Sequence, residues 1–403
     1  MNNNTNFFSD DKGSAAVLKH GVLGRYAAKF MAKTSSTSPG RRVGFLDGYA
    51  GQGEYVNPIT GSTKEGSPVI LLRIAIDLVR VGRTSHLVFV EKEKGAYASL
   101  NAVVRASTYS PAVAHHGDVE EHIQAALDEF DNMPALIFLD PFGSSLDHAS
   151  LVNRVLKRPG TQPTELLLNF SLQALRRMGA RLWEAEGASG RAKTLERVDH
   201  WLGGDWWRAF FMAPDVLSLP KSERADAAAT RVATEHAKRI HDATGCGYFA
   251  VPIRRKPHAK PLFLLTLYYP RQLAVFDFNE AVSLALKDWR AFLHDLELAE
   301  AELLDESDPQ LLSRVAELQT VYKLDEAQID RDAIDEIKKS VTEALRTRTS
   351  LSVRTDLRLV MGEAIGVGRT THLRTAWKEL AAEGIAGECP KGDLDSAVIG
   401  RAN

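Results

Sequence analysis

The stretch VGFLDGYAGQGEY, residues 43–55, decides the fold. A short apolar run ends in Asp47, and the glycines Gly48, Gly51 and Gly53 follow at once. A buried strand that runs into an acidic residue and a glycine turn is typical of the start of a ligand-binding α/β domain. Glycines there let the backbone approach a ligand that a Cβ would push away. The alternative is a tight strand-to-helix turn without a ligand.

Strand and helix patterns alternate on both sides of this turn. The elements predicted from apolar periodicity are strands at 43–47, 86–91, near 113, 135–139 and 165–170, and helices at 14–33, 67–80, 92–105 and 119–130. Such alternation predicts a mostly parallel sheet with helices on both faces. Two later strands, 248–255 and 261–269, are separated by prolines and predict an antiparallel hairpin at the sheet edge. We therefore expect an α/β, Rossmann-type fold.

The remaining patterns divide the chain further. A helical, Arg- and Trp-rich segment at 171–245 predicts an insertion in a first domain that spans 1–304. A charged linker is expected at 305–330. The last segment, 331–403, contains three short helical patterns, a glycine turn between the second and third, and a glycine-rich tail. This layout predicts a C-terminal winged helix-turn-helix domain.

The third helix of that domain carries both basic and apolar positions. Arg369, His372 and Arg374 are expected at its start, where a winged helix contacts DNA or a protein. Trp377 and Leu380 are expected on its core face.

Composition excludes several classes of protein. The 403 residues are 44% hydrophobic and 25% charged with a net charge of −2, so no global positive field indicates nucleic acid, although a local basic patch is compatible with that total. Cys246 and Cys389 have no C-x-x-C spacing and indicate neither a disulfide framework nor a zinc cluster. His115 and His116 are adjacent on an extended segment and point apart, so no metal site is expected. Without a signal sequence or an apolar run of about eighteen residues, the chain is expected to be cytoplasmic and not membrane-bound.

Two more acidic residues follow predicted strands. Glu91 ends the second strand, where a carboxylate accepts hydrogen bonds from ribose hydroxyls; a helix N-terminal acid is the alternative. Asp118 follows the third strand and either meets an adenine amine or caps the next helix. Asp47 and Glu91 are further apart than the roughly twenty residues typical of this unit. We therefore interpret 54–66 as an extra loop and as a substrate lid.

The fourth strand ends in the sharpest motif. ALIFLDPFGSS places Asp140, Pro141, Phe142 and Gly143 at the carboxyl edge of the sheet, where open α/β folds bind ligands. The motif resembles the [DN]-P-P-[YF] motif of amino-directed methyltransferases and, with its single proline, the tRNA N2,N2-dimethylguanosine methyltransferases. In these enzymes the acidic side chain and a backbone carbonyl accept hydrogen bonds from an exocyclic amine, and the aromatic ring stacks on the base. A simple Asp-Pro turn is the alternative.

Together, FLDGYAGQGEY, GSPVILL, FVEKE, LIFLDPFG and PLFLLTLYYP resemble the three-Cys-motif partner (TcmP) family of bacteria and phages. The resemblance implies a class I methyltransferase-like Rossmann core, a GMT-like winged-helix C-terminus, the cofactor S-adenosylmethionine and a partner protein with a three-cysteine, radical-SAM-like motif. The cofactor-binding residues expected from the motifs and the resemblance are Asp47, Gly48, Tyr49, Ala50, Gly51, Gly53, Glu91, Lys92, Asp118 and Val119. Asp140, Pro141, Phe142 and Gly143 are the expected catalytic residues.

Substrate contacts are expected from residues beyond these motifs. Asn169 follows the fifth strand at the same edge and either contacts substrate or caps the next helix. The basic residues Arg176, Arg254, Arg255 and Lys256 would form a phosphate track if they share a surface.

The sequence thus predicts an S-adenosylmethionine-dependent methyltransferase that acts on an exocyclic amine of a nucleic-acid base. The alternatives are a non-catalytic cofactor- or nucleotide-binding scaffold whose winged helix binds DNA or the partner, and transfer of another group of the sulfonium, such as aminocarboxypropyl.

Overall fold

The structure is a computed structural model and describes residues 12–56, 63–141, 143–160, 162–304 and 311–402. These residues form two compact units. The first contains the chain up to Ala15 and Ala27–Arg271, and the second contains Ala16–Tyr26 and the chain from Gln272 onward. Helix α1 (Lys12–Thr37) contributes residues to both units.

A seven-stranded sheet forms the centre of the first unit. Its strands, in chain order, are β1 (Arg42–Asp47), β4 (Thr84–Glu91), β5 (Ala112–His116), β6 (Ala135–Leu139), β7 (Thr164–Ser171), β8 (Gly247–Ile253) and β9 (Phe263–Tyr269). The spatial order is β5-β4-β1-β6-β7-β9-β8, and only the pairs that involve β9 are antiparallel. The first five strands in this spatial order, from β5 to β7, are arranged as in a Rossmann sheet. The α/β, Rossmann-type fold predicted from the sequence is therefore confirmed, including the antiparallel hairpin at the edge.

Helices cover this sheet and explain why its central strands are continuous apolar runs. They are α2 (Ser67–Val79), α3 (Lys94–Ala106), α4 (Val119–Glu129) and α5 (His148–Ser150), which continues as a π-helical segment over Leu151–Leu156. Every residue of β6 and β7 is buried. Because both faces of these strands are covered, apolar residues are required at successive positions and not at alternate ones.

A small hairpin extends from the end of the glycine turn. Strands β2 (Glu54–Val56) and β3 (Thr63–Glu65) pair antiparallel, with Tyr55 opposite Lys64. The extra loop predicted at 54–66 is thus a hairpin in its described part, while 57–62 lie outside the described residues. Its interpretation as a substrate lid stays a prediction.

The predicted insertion is helical. It contains α6 (Leu172–Gly179), α7 (Arg191–Leu202), α8 (Arg208–Phe211), α9 (Pro214–Ser218) and α10 (Lys221–Thr244). These helices enclose their own core, in which Trp201 stacks on Phe170 of β7 and Trp207 packs against Phe211. The insertion is therefore packed directly onto the end of β7.

The second unit begins earlier than the sequence predicted. It contains α11 (Leu273–Leu304), α12 (Leu311–Thr347), β10 (Ser350–Ser352), α13 (Leu357–Met361), α14 (Thr370–Ala382) and β11 (Val398–Gly400). The predicted linker at 305–330 is wrong from residue 311 onward, because α12 is continuous through it. The predicted first domain also ended too late, since α11 belongs to the second unit.

Contacts between α11 and the later elements account for this correction. Arg290 of α11 forms a bidentate ion pair with Glu326 of α12. Asn279 of α11 binds the backbone of Gly366 and Gly368 just before α14. A charged segment that looked like a linker is therefore a helix whose charges pair across the interface with α11.

The remaining elements of the second unit follow the order helix, strand, helix, helix, strand, with β10 paired antiparallel to β11. The winged helix-turn-helix expected at 331–403 stays a prediction. Trp377 and Leu380 of α14 are buried, as predicted for its core face. No helix in the described parts of the chain is both long and apolar enough to cross a membrane.

Candidate functional site

The candidate site lies where the strand order of the sheet reverses. On one side of β1 the chain continues through β4 and β5, and on the other side lie β6 and β7. Ligands of open α/β sheets bind at this reversal, outside the carboxyl ends of the strands. Asp47 and Glu91 end β1 and β4, Asp140 directly follows β6, and Asn169 lies near the end of β7, so all four lie at this edge.

A cavity of about 730 Å³ opens at the same edge. The residues predicted for cofactor or catalysis that line it are Gly48, Tyr49, Glu91, Lys92, Asp118, Val119, Pro141 and Gly143. Asp47, Ala50, Gly51, Gly53 and Asp140 are not among its lining residues. Phe142, the predicted stacking residue, lies outside the described residues. The structure thus brings the predicted motifs to the same edge of the sheet. The first set of residues forms part of the cavity wall, and the second set does not line the cavity.

The backbone of the glycine turn is already hydrogen-bonded within the protein. Gly48 N–H donates to Phe138 O, and Ala50 N–H donates to Val90 O, both at 3.0 Å. Tyr49 N–H donates to the buried carboxylate of Asp47 at 3.2 Å, and Gly51 N–H donates to Glu91 Oε2 at 2.8 Å. Gly51 and Gly53 have φ values of +65° and +87°, which favour glycine. The glycines are therefore needed for the shape of the turn, and the N–H groups of 48–51 are used internally.

Glu91 connects two parts of the site. Its second oxygen accepts from Glu93 N–H at 2.7 Å, so the carboxylate joins the glycine turn to the start of α3. It is half-buried and lines the cavity, and a carboxylate has lone pairs beyond those used in these two hydrogen bonds. This position suits the ribose-binding role predicted from the sequence.

Asp118 and Lys92 form an ion pair at the cavity wall. Lys92 Nζ lies 2.7 Å from Asp118 Oδ2, while Oδ1 accepts from Glu120 N–H and caps α4. The hydrogen bond from Lys92 holds the pKa of Asp118 below its usual value. The capping alternative for Asp118 is therefore observed, and a contact with adenine stays a prediction.

Asp140 is held by the neighbouring strand. Asn169 Nδ2 donates to Asp140 Oδ1 at 2.6 Å. Asn169 is fully buried, and no described residue donates a hydrogen bond to its Oδ1. Since it is buried behind Asp140, Asn169 orients this carboxylate, and a direct contact with substrate is not what its position favours. Capping of the next helix is performed by Ser171, which accepts from Ala174 N–H.

Two tyrosines lie at the site: Tyr49 was among the predicted cofactor-binding residues, and Tyr55 was not predicted. Tyr49 lines the cavity, and burial together with Asp118 raises its pKa. Tyr55 of β2 lies over the glycine turn; burial, followed by the charges of Asp140, Asp47 and Glu91, raises its pKa to about 12. Tyr55 had no sequence signal besides its position directly after the turn.

The insertion supplies the opposite wall of the cavity. Arg197, His200 and Trp201 of α7 line it, together with the segment 143–147 that follows β6. Trp201 Nε1 donates to Ser145 Oγ at 3.2 Å and fixes α7 against that segment. Sequence reasoning missed these three residues, because their helical spacing is indistinguishable from that of any amphipathic helix.

His200 lies close to two carboxylates at this wall. One side-chain ligand atom from each of Glu120, Asp147 and His200 lies within 4.8 Å of the others. Burial opposes ionisation of Asp147, but its hydrogen bonds to Ser150 and the nearby His200 lower its pKa overall. Glu120 and His200 are exposed, and Asp147 already caps α5. The absence of a metal therefore stays a prediction.

The predicted phosphate track is not found at the cavity. None of Arg176, Arg254, Arg255 and Lys256 lines it. Arg176 forms an ion pair with Asp226 and donates to Pro261 O, while Arg254 donates to Ala259 O at 2.6 Å. Since two of these guanidinium groups bind the protein's own carbonyl oxygens, the prediction that they contact substrate is not supported by their placement.

The basic residues at the start of α14 are also engaged internally. His372 Nε2 lies 2.8 Å from Asp330 Oδ1, and its Nδ1 accepts from Arg369 N–H. The Arg369 guanidinium lies 3.6 Å from the same Asp330 carboxylate. Arg374 donates to Pro390 O at 2.8 Å and to Gly392 O. These side chains stabilise the second unit.

Comparisons with known proteins add little to this geometry. No family model and no curated protein matches the chain. Among solved structures, a putative O-methyltransferase from Klebsiella pneumoniae is similar over 63% of this chain and 89% of its own, with 12% identity and a TM-score of 0.26. A superposition of that quality carries no argument about function, so the site itself must carry it.

Proposed function

We propose that this protein is an S-adenosylmethionine-dependent methyltransferase that acts on an exocyclic amine of a nucleic-acid base. The observation that carries the proposal is Asp140, which ends β6 at the reversal of strand order and is held there by Asn169 at 2.6 Å. A carboxylate fixed in this way accepts a hydrogen bond from an amine in one orientation, which is how an amine conjugated to a ring is aligned for attack.

The cavity has the charge that this cofactor needs. Two permanent cations, Lys92 and Arg197, line it, against the carboxylates of Glu91, Glu93, Asp118, Glu120 and Asp147. An excess of carboxylates favours a ligand that carries a positive sulfonium. Glu91 would bind the ribose hydroxyls of the cofactor. When bound, the cofactor would supply an electrophilic methyl group.

The protein's own groups would position the acceptor. Asp140 would accept one hydrogen bond from the amine, and the carbonyl of Pro141 would accept the other. No group with a shifted pKa is needed as a base, because the amine loses its proton late, after attack has begun. The stacking role predicted for Phe142 completes this set and lies outside the described residues.

The test is transfer of a labelled methyl group to pooled DNA and RNA, with wild type and Asp140→Ala. We expect the variant to lose at least about 100-fold in turnover, because the aligned acceptor is gone. Its affinity for S-adenosylhomocysteine should stay within about threefold, since Asp140 does not line the cavity. Asp242→Ala, an exposed carboxylate of α10, is the matched control. An Asp140→Ala protein with wild-type turnover would remove the proposed role.

A non-catalytic scaffold is the second candidate. One observation favours it: the N–H groups of 48–51 are all paired, so the turn is complete without a ligand. Under this hypothesis the second unit binds DNA or a three-Cys-motif partner protein. Repeating the transfer assay with such a partner distinguishes the two, because a scaffold binds S-adenosylhomocysteine and transfers nothing. The mass of any product separates methyl from aminocarboxypropyl transfer.

A further inference from the structure

We propose that Arg197 of the helical insertion binds a phosphate group of the nucleic-acid substrate inside the cavity. The inference rests on the proposed function and deepens it, because it names a substrate contact that neither the motifs nor the resemblance assigns. The basic residues predicted for this role, Arg176 and Arg254 among them, do not line the cavity. The proposed substrate therefore needs another cation there.

Helix α7 carries Arg197 on the cavity wall from an anchored position. Trp201, one turn further along the helix, stacks on Phe170 of β7 with ring centroids 4.8 Å apart. Gly203 follows the end of α7 and packs closely against α5, since a Cβ there would lie 2.9 Å from the His148 side chain. Because the helix is anchored at this end, the backbone of position 197 is fixed at the wall.

The guanidinium of Arg197 is not used within the described parts of the protein. Lys92, the other permanent cation at the wall, is bound to Asp118 at 2.7 Å. Arg197 forms neither an ion pair nor a hydrogen bond with any described residue, although carboxylates line the same cavity. Its donors are therefore available to a ligand, and a guanidinium binds phosphate oxygens through two parallel N–H groups.

The charge of the cavity explains why a substrate phosphate needs this cation. Glu91, Asp118 and Glu120 are among the carboxylates that line it, and they repel a phosphodiester. An unpaired guanidinium offsets this repulsion at one place on the wall. Pro141, whose carbonyl is proposed to bind the amine, lines the same cavity as Arg197. One nucleotide would thus be held at its base by the first residue and at its phosphate by the second.

The first experiment measures binding of fluorescently labelled pools of single-stranded RNA and DNA at several KCl concentrations. We expect Arg197→Gln to weaken binding about tenfold, the effect of a hydrogen-bonded charged contact. The slope of log K against log salt should fall by about 0.7, the value for one phosphate contact on a single strand. Arg197→Lys keeps the charge and should keep the slope. Arg105→Gln, exposed in the last turn of α3 and away from the cavity wall, is the matched control.

The second experiment identifies the source of the anion, because the carboxylate of the cofactor has the same chemistry as a phosphate. In the methyl-transfer assay, Arg197→Gln should raise KM for nucleic acid about tenfold and change kcat less than about twofold. Calorimetry with S-adenosylhomocysteine should show an unchanged Kd, because the proposed contact is with the substrate. Thermal denaturation of each variant confirms that it is folded.

The two experiments separate this inference from the proposed function. If wild type transfers methyl groups and Arg197→Gln keeps its affinity for nucleic acid and its salt slope, the inference is wrong and the proposed function stands. Loss of S-adenosylhomocysteine affinity alone would mean that Arg197 binds the cofactor's carboxylate, which also overturns the inference. If wild type transfers nothing but Arg197→Gln lowers the salt slope, the phosphate contact is supported and the methyltransferase proposal is not. A wild type that neither binds nucleic acid nor transfers a methyl group contradicts both.

Discussion

Two regions were predicted to bind ligands, and the structure treats them differently. At the carboxyl edge of the sheet, the wall residues Glu91, Asp118 and Pro141 face an open cavity. At the start of α14, His372 bonds to Asp330, and Arg374 donates to the carbonyls of Pro390 and Gly392. Both regions contain the residue types that their predicted roles require. Residue type alone therefore does not distinguish a region that faces a cavity from one whose polar groups are bonded within the protein.

The difference lies in what surrounds each side chain. Parallel strands that end together leave a crevice, because the helices on the two faces diverge beyond the strand ends. The start of α14 instead lies against α12 and the chain after residue 386, which supply acceptors for its donors. A basic residue at a helix start is therefore available to a ligand only when no nearby carbonyl or carboxylate binds it first.

Substitution of His372 tests the difference between the two regions most directly. His372→Ala removes a buried ring with partners on both nitrogens, and we expect the second unit to lose about 2 kcal/mol of unfolding free energy. Urea denaturation measures this loss. Thr375→Ala, on the exposed side of α14, is the control and should change stability little. A His372→Ala protein with unchanged stability but lost binding to nucleic acid would show that α14 reads a ligand after all.

The first unit contains a buried histidine that, unlike His372, lacks a described hydrogen-bond partner on one ring nitrogen. His236 is fully buried, and no described residue hydrogen-bonds its Nδ1, while Nε2 lies 3.4 Å from His148. Burial, with His148 and Arg239 nearby, lowers its pKa to about 3. At pH values between about 3 and 6.5, this histidine is protonated in the unfolded chain and neutral in the folded protein. Its contribution to the free energy of unfolding is therefore fully present above pH 6.5 and is lost as the pH falls below that value.

We therefore expect protonation of His236 in the unfolded chain to lower the unfolding free energy of the first unit by about 2 kcal/mol at pH 5 relative to pH 7, at about 1.36 kcal/mol per pH unit. Urea denaturation at both values, for wild type and His236→Gln, isolates this contribution. His258→Gln, at an exposed position, is the control. An equal pH dependence in wild type and His236→Gln would show that His236 is not the group responsible. His148, whose pKa burial also lowers, adds to the effect in the same direction.

The smallest expected effect compares two glycines of the site. Gly51 has φ +65°, and a Cβ there meets the Tyr55 hydroxyl, whereas a Cβ on Gly143 has no atom of the described residues within 4 Å. Gly51→Ala should cost about 1 kcal/mol for a left-handed backbone, and Gly143→Ala should cost nothing measurable. Thermal denaturation of both variants tests this difference. Equal losses would mean that the glycine turn has no special conformational requirement.

Most of the sheet was predictable because its signals are local. The strands were predicted to within a few residues, since apolar runs such as 135–139 have no other stable location than a covered sheet. The linker predicted at 305–330 is wrong from residue 311 onward, because a charged helix and a charged linker have similar composition, and 305–310 lie outside the described residues. Only the partners of its charges, such as Arg290 with Glu326, distinguish the two.

At the site, sequence by itself determined which residues lie at or next to the strand ends: Asp47, Glu91, Asp140 and Asn169. Strand ends follow from local patterning, and a parallel sheet brings them to one edge. Tertiary structure decided which of their polar atoms remain for a ligand. It buried Asn169 behind Asp140, paired the N–H groups of 48–51, and placed Tyr55 on Gly51. Hydrogen bonding depends on atoms distant in sequence, and no local pattern encodes which donor reaches an acceptor first.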